Sequence, residues 1–166
     1  MATPISCTQT FPAPPEEVWA LLTDPQYIEA KGLRSGAAEV APQVRQEEGR
    51  ILVISRRTMH LPDSFPGFIK RFTGDSLVLL ETQQWQPAGG DGVRRGTFII
   101  DFGGQPLAFH GELELRASAA GSEVVTSGTL KASVPLIGGK AEGVARDWTV
   151  KYLRKEEVVA AEWLAR

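Results

Sequence analysis

Apolar and polar residues alternate along Ile5-Ser6-Cys7-Thr8-Gln9-Thr10-Phe11, the period of a strand with one face against a core. Pro12, Pro14 and Pro15 stop that pattern. Pro15 suits a first helical residue, whose N–H has no helical partner in any case. Glu16 and Glu17 favour the positive end of the helix dipole, and Val18, Trp19, Leu21 and Leu22 give a short apolar face. Thr23 or Asp24 can cap a second short helix from Pro25 to Lys31, ended by Gly32. Beyond it the period returns to two. Ala37 to Val44 reads as a weak strand and Arg50 to His60 as a strong one, with Ile51, Val53, Ser55, Arg57 and Met59 sharing a face.

Leu61 to Phe72 breaks the alternation. Pro62 and Pro66 interrupt it, Phe65, Phe68, Ile69 and Phe72 supply bulk, and a short helix from Pro66 to Phe72 fits. Strand patterns resume at Leu77–Trp85, Gly96–Phe102, Ala108–Arg116 and Glu123–Val134, separated by turns rich in Gly and Pro. In the last segment Ile137, Ala141, Val144, Trp148, Tyr152, Val159 and Trp163 recur at three- and four-residue steps, with one seven-residue gap around Lys155-Glu156. That is a helix of about eight turns, against the common three or four.

Short turns between consecutive strands make antiparallel neighbours. A single sheet needs its apolar face covered, and only the last helix is long enough to do it. The pattern therefore predicts an α+β fold: a curved antiparallel sheet of about seven strands wrapped around a long C-terminal helix, with two short helices after the first strand. No linker or internal repeat divides residues 1–166, so one domain is expected.

Composition narrows the function. Eighteen Lys and Arg against twenty Asp and Glu give a net charge of −2, which argues against a broad basic face for nucleic acid. One cysteine, Cys7, rules out an internal disulfide framework and a multi-cysteine zinc site. His60 and His110 leave few ligands for a metal, and no cofactor is expected. The first eleven residues lack the basic start and long apolar run of a secretory signal. No stretch approaches the roughly 20 apolar residues of a membrane span. A cytoplasmic location is the default expectation.

No nucleotide-binding glycine motif and no Ser-His-Asp or Cys-His set is present. Arg57 is the most informative charge. On the inward face it needs a partner, and Glu81 on the neighbouring strand can supply one; an acidic ligand is the alternative, since guanidinium binds carboxylates bidentately. Aromatic and aliphatic residues supply a candidate pocket: Phe98 and Ile100 share a face, as do Phe109 and Leu113. Trp148 and Tyr152 lie one turn apart facing the sheet, with Trp85 near them. The missing side chains of Gly96, Gly111 and Gly128 leave room on the strands or mark bends. Phe65, Phe68 and Ile69 form a candidate lid. Glu142, in the first turns of the long helix, reads as a partner for the helix dipole.

The order of elements resembles the helix-grip fold of the START-like superfamily, also called SRPBCC, which includes the birch pollen allergen and polyketide cyclases. Several motifs are similar to those of an uncharacterised bacterial subfamily classed as a domain of unknown function. They are Ser55-Arg56-Arg57-Thr58, the run Phe65-Pro66-Gly67-Phe68-Ile69-Lys70-Arg71-Phe72-Thr73-Gly74-Asp75, Trp85, Gly104-Gln105-Pro106 with Gly111, Val134-Pro135-Leu136-Ile137-Gly138-Gly139-Lys140-Ala141-Glu142, and Trp163-Leu164. The subfamily tends to have Leu-Pro where this chain has Phe65-Pro66, and an acid two residues before the tryptophan where this chain has Gln83. The resemblance implies a cavity between sheet and helix that holds an apolar or amphipathic small molecule, lipid or polyketide-like. Residues Arg57, Met59, Trp85, Phe98, Ile100, Phe109, Trp148 and Tyr152 are the expected lining. The alternatives are a cyclase or dehydratase using the same cavity, with Arg57, Glu81 and His60 as candidate groups, and a chaperone-like interaction module. Whether the chain forms a homodimer is open.

Overall fold

The alternating segments pair into one sheet, in the order β1-β7-β6-β5-β4-β3-β2, every neighbour antiparallel. A computed structural model describes residues 2–166. The strands are β1 (Ala2–Phe11), β2 (Ala37–Glu47), β3 (Arg50–His60), β4 (Ser76–Trp85), β5 (Arg94–Asp101), β6 (Leu107–Ser118) and β7 (Gly121–Ala132). Helices α1 (Pro15–Leu22) and α2 (Pro25–Arg34) join β1 to β2, α3 (Gly67–Thr73) joins β3 to β4, and α4 (Gly138–Leu164) closes the chain. The curved sheet wraps around α4, as the sequence pattern predicts. Strand ends differ from the sequence reading by up to three residues: β2 runs on to Glu47, and β7 stops at Ala132.

Local signals account for the helices. Pro15 opens α1, and the Asp24 carboxylate caps α2 by accepting from the Gln26 N–H at 2.9 Å. Gly32 does not end α2, which continues to Arg34. Instead it lets the helix lie against β2: a Cβ at this position would stand 2.5 Å from a methyl of Val40. The glycines of the sheet do not open space either. Gly111 and Gly128 face each other across β6 and β7, and the Phe109 ring covers both, 2.6–2.7 Å from where their Cβ atoms would be. The Trp85 ring covers Gly96 in the same way. The missing side-chain volume is filled by aromatic rings from neighbouring positions.

The buried stripe of α4 is Ala141, Ala145, Thr149, Leu153, Glu156 and Ala160, with Glu142 and Val159 beside it. Of the residues in the sequence reading, Ala141 and Val159 are buried there, but between them the stripe runs one position round from Val144, Trp148 and Tyr152. Val144 and Tyr152 are only partly buried and Trp148 is exposed; all three sit along the edge of the contact. Small residues thus seat the helix, while the bulky ones look into the space beside it. Glu142 does more than face the helix dipole. Its carboxylate accepts from the Thr3 hydroxyl at 2.7 Å and the Ala132 N–H at 2.9 Å, tying α4 to both β1 and the end of β7. The Ala132 bond, reinforced by Thr3, holds this carboxyl below the usual range.

Candidate ligand cavity and its charged wall

Two chambers lie between the sheet and the flank of α4. The first, about 110 Å³, is almost entirely apolar. Phe65, Ile69 and Phe72 close it from the α3 side, Leu77 and Leu79 line it from β4, and Ala141, Val144, Ala145 and Trp148 roof it from α4. The Phe65 ring meets Trp148 edge-on, with centroids 5.0 Å apart. The second chamber, about 340 Å³, shares Met59, Leu79, Phe102 and Trp148 with the first, so the two lie end to end. It adds Ile100, Thr149 and Tyr152, with Arg34, Ser35, Arg57, Lys151 and Lys155. A third space of about 10 Å³ lies deeper, among Gln9, Glu81, Gln83, Trp85, Phe98, Thr126 and Glu156. It is about the size that holds one water molecule.

Two buried ion pairs border the deeper space through Glu81 and Glu156, and the first of them also reaches the second chamber through Arg57. Strand alternation turns Arg57 inward, and its Nη2 donates to Glu81 Oε2 at 2.8 Å, with both side chains almost wholly buried. The guanidinium lies 3.9 Å from the centre of the Tyr152 ring, close enough for a cation–π contact. Burial opposes its charge, but Tyr152 and Glu81 more than reverse that, so Arg57 stays firmly protonated. Its Nε–H is buried with no acceptor. Below Arg57, polar groups follow down one face of β4. The Trp85 indole donates to Gln83 Oε1 at 2.9 Å, and the Gln83 amide faces Glu81 Oε1 at 3.5 Å. Position 83 must accept on one side and donate on the other. An amide does both, which fits the glutamine at this position.

The second pair joins α2 to α4. Lys31 donates to Glu156 Oε1 at 2.9 Å, and Gln9 of β1 donates to Oε2 at 2.8 Å and to the Leu153 carbonyl at 2.9 Å. The Tyr27 hydroxyl stands 3.4 Å from the same carboxylate. Burial would lower the Lys31 pKa, but the Glu156 charge overrides it and holds the ammonium well above its ordinary range. Burial and the Glu156 charge push the Tyr27 phenol far upward, and burial raises Tyr152 too, so both stay neutral. The seven-residue gap in the apolar pattern of α4 is therefore filled by a buried carboxylate.

The expected lining divides among these spaces. Arg57, Met59, Ile100, Trp148 and Tyr152 meet at the second chamber. Trp85 and Phe98 border the deep space instead, and Trp85 packs edge-on against Trp19 of α1 at 5.5 Å rather than beside Trp148 and Tyr152. Phe109 is fully buried against Phe98, with centroids 5.4 Å apart, and lines none of the three spaces. Of the lid residues, Phe65 and Ile69 line the apolar chamber and Phe68 does not; Phe72, half exposed, takes that place. His60 and His110 are exposed and Cys7 is buried. Sequence reasoning missed Gln9, Lys31 and Glu156, and also Lys151 and Lys155. The one available signal was position: Glu156 falls one turn beyond Tyr152 on the inward side of the helix.

Among the described residues, no helix is long and apolar enough to cross a membrane, and no group of three or more His, Cys, Asp or Glu side chains is placed to hold a metal. A sheet gripping one long helix defines the helix-grip, SRPBCC-like fold. Within that class the chain belongs to the family described as protein of unknown function (DUF2505), whose pattern matches residues 6–164. No curated protein matches it in sequence. Its fold is similar to that of TTHA0849 from Thermus thermophilus, at 16% identity and a TM-score of 0.61, over 98% of this chain and 95% of that one. Ara h 8.0201 superposes over 100% of both chains, at 13% identity and a TM-score of 0.58. A Rhodobacter sphaeroides protein does so at 18% identity and a TM-score of 0.57, over 98% of this chain and 92% of its own. At these identities the likeness shows the fold alone.

Proposed function

We propose that this protein binds a hydrophobic or amphipathic small molecule in the space between the sheet and α4. The observation that carries this reading is the apolar chamber under α3, continuous through shared lining residues with the second chamber of about 340 Å³. That volume falls within the roughly 300–1,000 Å³ of small-molecule sites. Arg57, Met59, Ile100, Trp148 and Tyr152 are the contacts in this reading, with Phe65, Ile69 and Phe72 closing the apolar end. A cyclase or dehydratase needs an acid or base facing the substrate. The residues around these two chambers include no carboxylate and no imidazole among those described. Glu81 is committed to Arg57, and His60 lines neither chamber. Of the three groups expected for such chemistry only Arg57 lines this space, and it stays protonated, which supports the binding reading.

Native mass spectrometry of freshly purified protein, with solvent extraction, tests the reading. A co-purifying apolar molecule, or saturable binding of a neutral fluorescent probe such as N-phenyl-1-naphthylamine, is expected. Ala145→Phe, which fills the apolar chamber, should abolish probe binding while circular dichroism stays native. A wild-type protein that carries nothing and binds no such probe would overturn the proposal.

A further inference from the structure

The second chamber is electrostatically one-sided. The whole chain has slightly more acid than base, yet four cations, Arg34, Arg57, Lys151 and Lys155, line this space with no carboxylate among its described walls. Arg57 is balanced by Glu81, and Arg34 bonds Glu162 at the surface. Lys151 and Lys155 have no acidic partner within ion-pair distance among the described residues. They stand four residues apart on α4, a spacing at which like charges repel. Two hydrogen-bonding atoms in the same wall are also unsatisfied: the Arg57 Nε–H, in a residue only 3% exposed, and the Ser35 hydroxyl. Unpaired buried donors are uncommon in folded proteins and costly to leave so.

We infer that the ligand is an amphipathic anion, its apolar body in the chamber under α3 and an oxyanion head, carboxylate or phosphate, in the chamber walled by Arg57, Ser35, Lys151 and Lys155. This rests on the binding function proposed above and adds the polarity of the ligand and its direction in the cavity. Guanidinium and ammonium groups both bind oxyanions by charge-assisted hydrogen bonds. The shared residues Met59, Leu79, Phe102 and Trp148 make the junction where head and body meet. The head lies on the side of the α2 C-terminus and the middle of α4, and the tail under the α3 lid.

The test is displacement of N-phenyl-1-naphthylamine by four twelve-carbon probes, each below its micelle concentration: dodecanoate, dodecyl phosphate, dodecanol and dodecyltrimethylammonium. The inference expects at least one of the two anions to bind about tenfold or more tightly than dodecanol, and the cation to bind most weakly. Which anion leads distinguishes a carboxylate from a phosphate source. Lys151→Gln/Lys155→Gln changes only exposed side chains. It should weaken the preferred anion about three- to tenfold and leave dodecanol unchanged, whereas Lys131→Gln, on β7, should change neither. Equal binding of anions and dodecanol, or a double variant that loses no anion affinity, overturns the head-group assignment while the binding function stands. If the fluorescent probe itself does not bind, both fall together.

Discussion

The buried contact between Lys31 and Glu156 makes a sharp and asymmetric prediction. Glu156 receives Lys31, Gln9 and the Tyr27 hydroxyl. Lys31→Met leaves the carboxylate with two donors. Glu156→Gln leaves a buried ammonium without its paired carboxylate, with the Tyr27 and Tyr152 rings at 5.7 and 5.5 Å and the Glu81 charge, already paired to Arg57, farther off. Breaking a buried pair by removing one partner costs about 3–5 kcal/mol, so Glu156→Gln should sit in that range and Lys31→Met below it. With a urea m-value of about 2 kcal/mol/M, the Glu156→Gln midpoint should fall by about 1.5–2.5 M, followed by the fluorescence of the four tryptophans. The double variant removes both charges and should lose much less than the two singles together, because replacing a whole buried pair is often near neutral.

The pH dependence carries the same logic with a definite sign. In the wild type the Lys31 pKa is raised on folding. Its contribution is therefore fully present below the unfolded lysine value of about 10.4, and is lost only as pH rises through the higher folded value. Lys31 should make stability no more pH-dependent between pH 6.5 and 9.5. In Glu156→Gln, burial without a counter-charge lowers the lysine pKa. The unfolded state then binds more protons, and stability rises with pH. The variant should regain part of its loss at pH 9.5 relative to pH 6.5. A flat difference from wild type across that range, or additive single losses, would mean that Lys31 and Glu156 do not compensate each other's burial.

Three further outcomes are expected. Glu142→Gln should cost about 1.5–3 kcal/mol near pH 7, the range for hydrogen bonds to a charged group; because the folded carboxyl pKa is lowered, the stabilisation is present above the unfolded value of about 4.3 and lost as pH falls through the folded value, so thermal melts of the two proteins should converge below about pH 4. Gly128→Ala would place a Cβ 2.4 Å from the His110 carbonyl oxygen and 2.5 Å from Gly111 Cα, backbone atoms that cannot yield cheaply, so a loss of about 3 kcal/mol or more is expected; Gly143→Ala, in open space on α4, should gain about 0.5–1 kcal/mol, both measured by urea denaturation. Gln83→Glu would set a second carboxylate beside Glu81, so one of the two should hold its proton well above the ordinary range, visible in a carboxyl-detected NMR titration.

The fold was legible because it is written in two clean periods. The inward alternation of Val53, Ser55, Arg57 and Met59 is the buried face of β3, and the length of the last helix left a single way to cover the sheet. The pairing of Arg57 with Glu81 followed from the same alternation, since Glu81 opposes Ser55, two residues along β3 from Arg57 and on the same face. The cavity was less legible. Gly111 and Gly128 suggested room, but an absent side chain does not say which ring will cover it, and Phe109 does. Trp85 and Phe109 fell to the core because bulk and inward direction do not distinguish a packed ring from a lining one. Lys31 and Glu156 escaped because each is charged in a helix, where solvent is the default surroundings. Only the meeting of α2, β1 and α4 shows that they compensate one another.

That meeting also explains how a fold with so short an apolar seam on α4 keeps open space beside it. If large apolar side chains alone seated the helix, they would fill the groove they pack into. Here Ala141, Ala145 and Thr149 bring the first half of α4 onto the sheet with little volume, and Val144 and Trp148 roof the apolar chamber from the flank. The second half is fastened differently, by Leu153, Val159 and Ala160 together with Glu156, bound to both Lys31 and Gln9. Directional contacts to two elements fix the rotation and axial position of the helix at that end, which a greasy contact specifies less well. The anchored half can then hold the roofing half in place without filling the space beneath it. Enlarging Ala141 or Ala145 should therefore cost ligand volume before it costs the fold. Loosening Glu156 should cost stability first, with the cavity residues themselves unchanged.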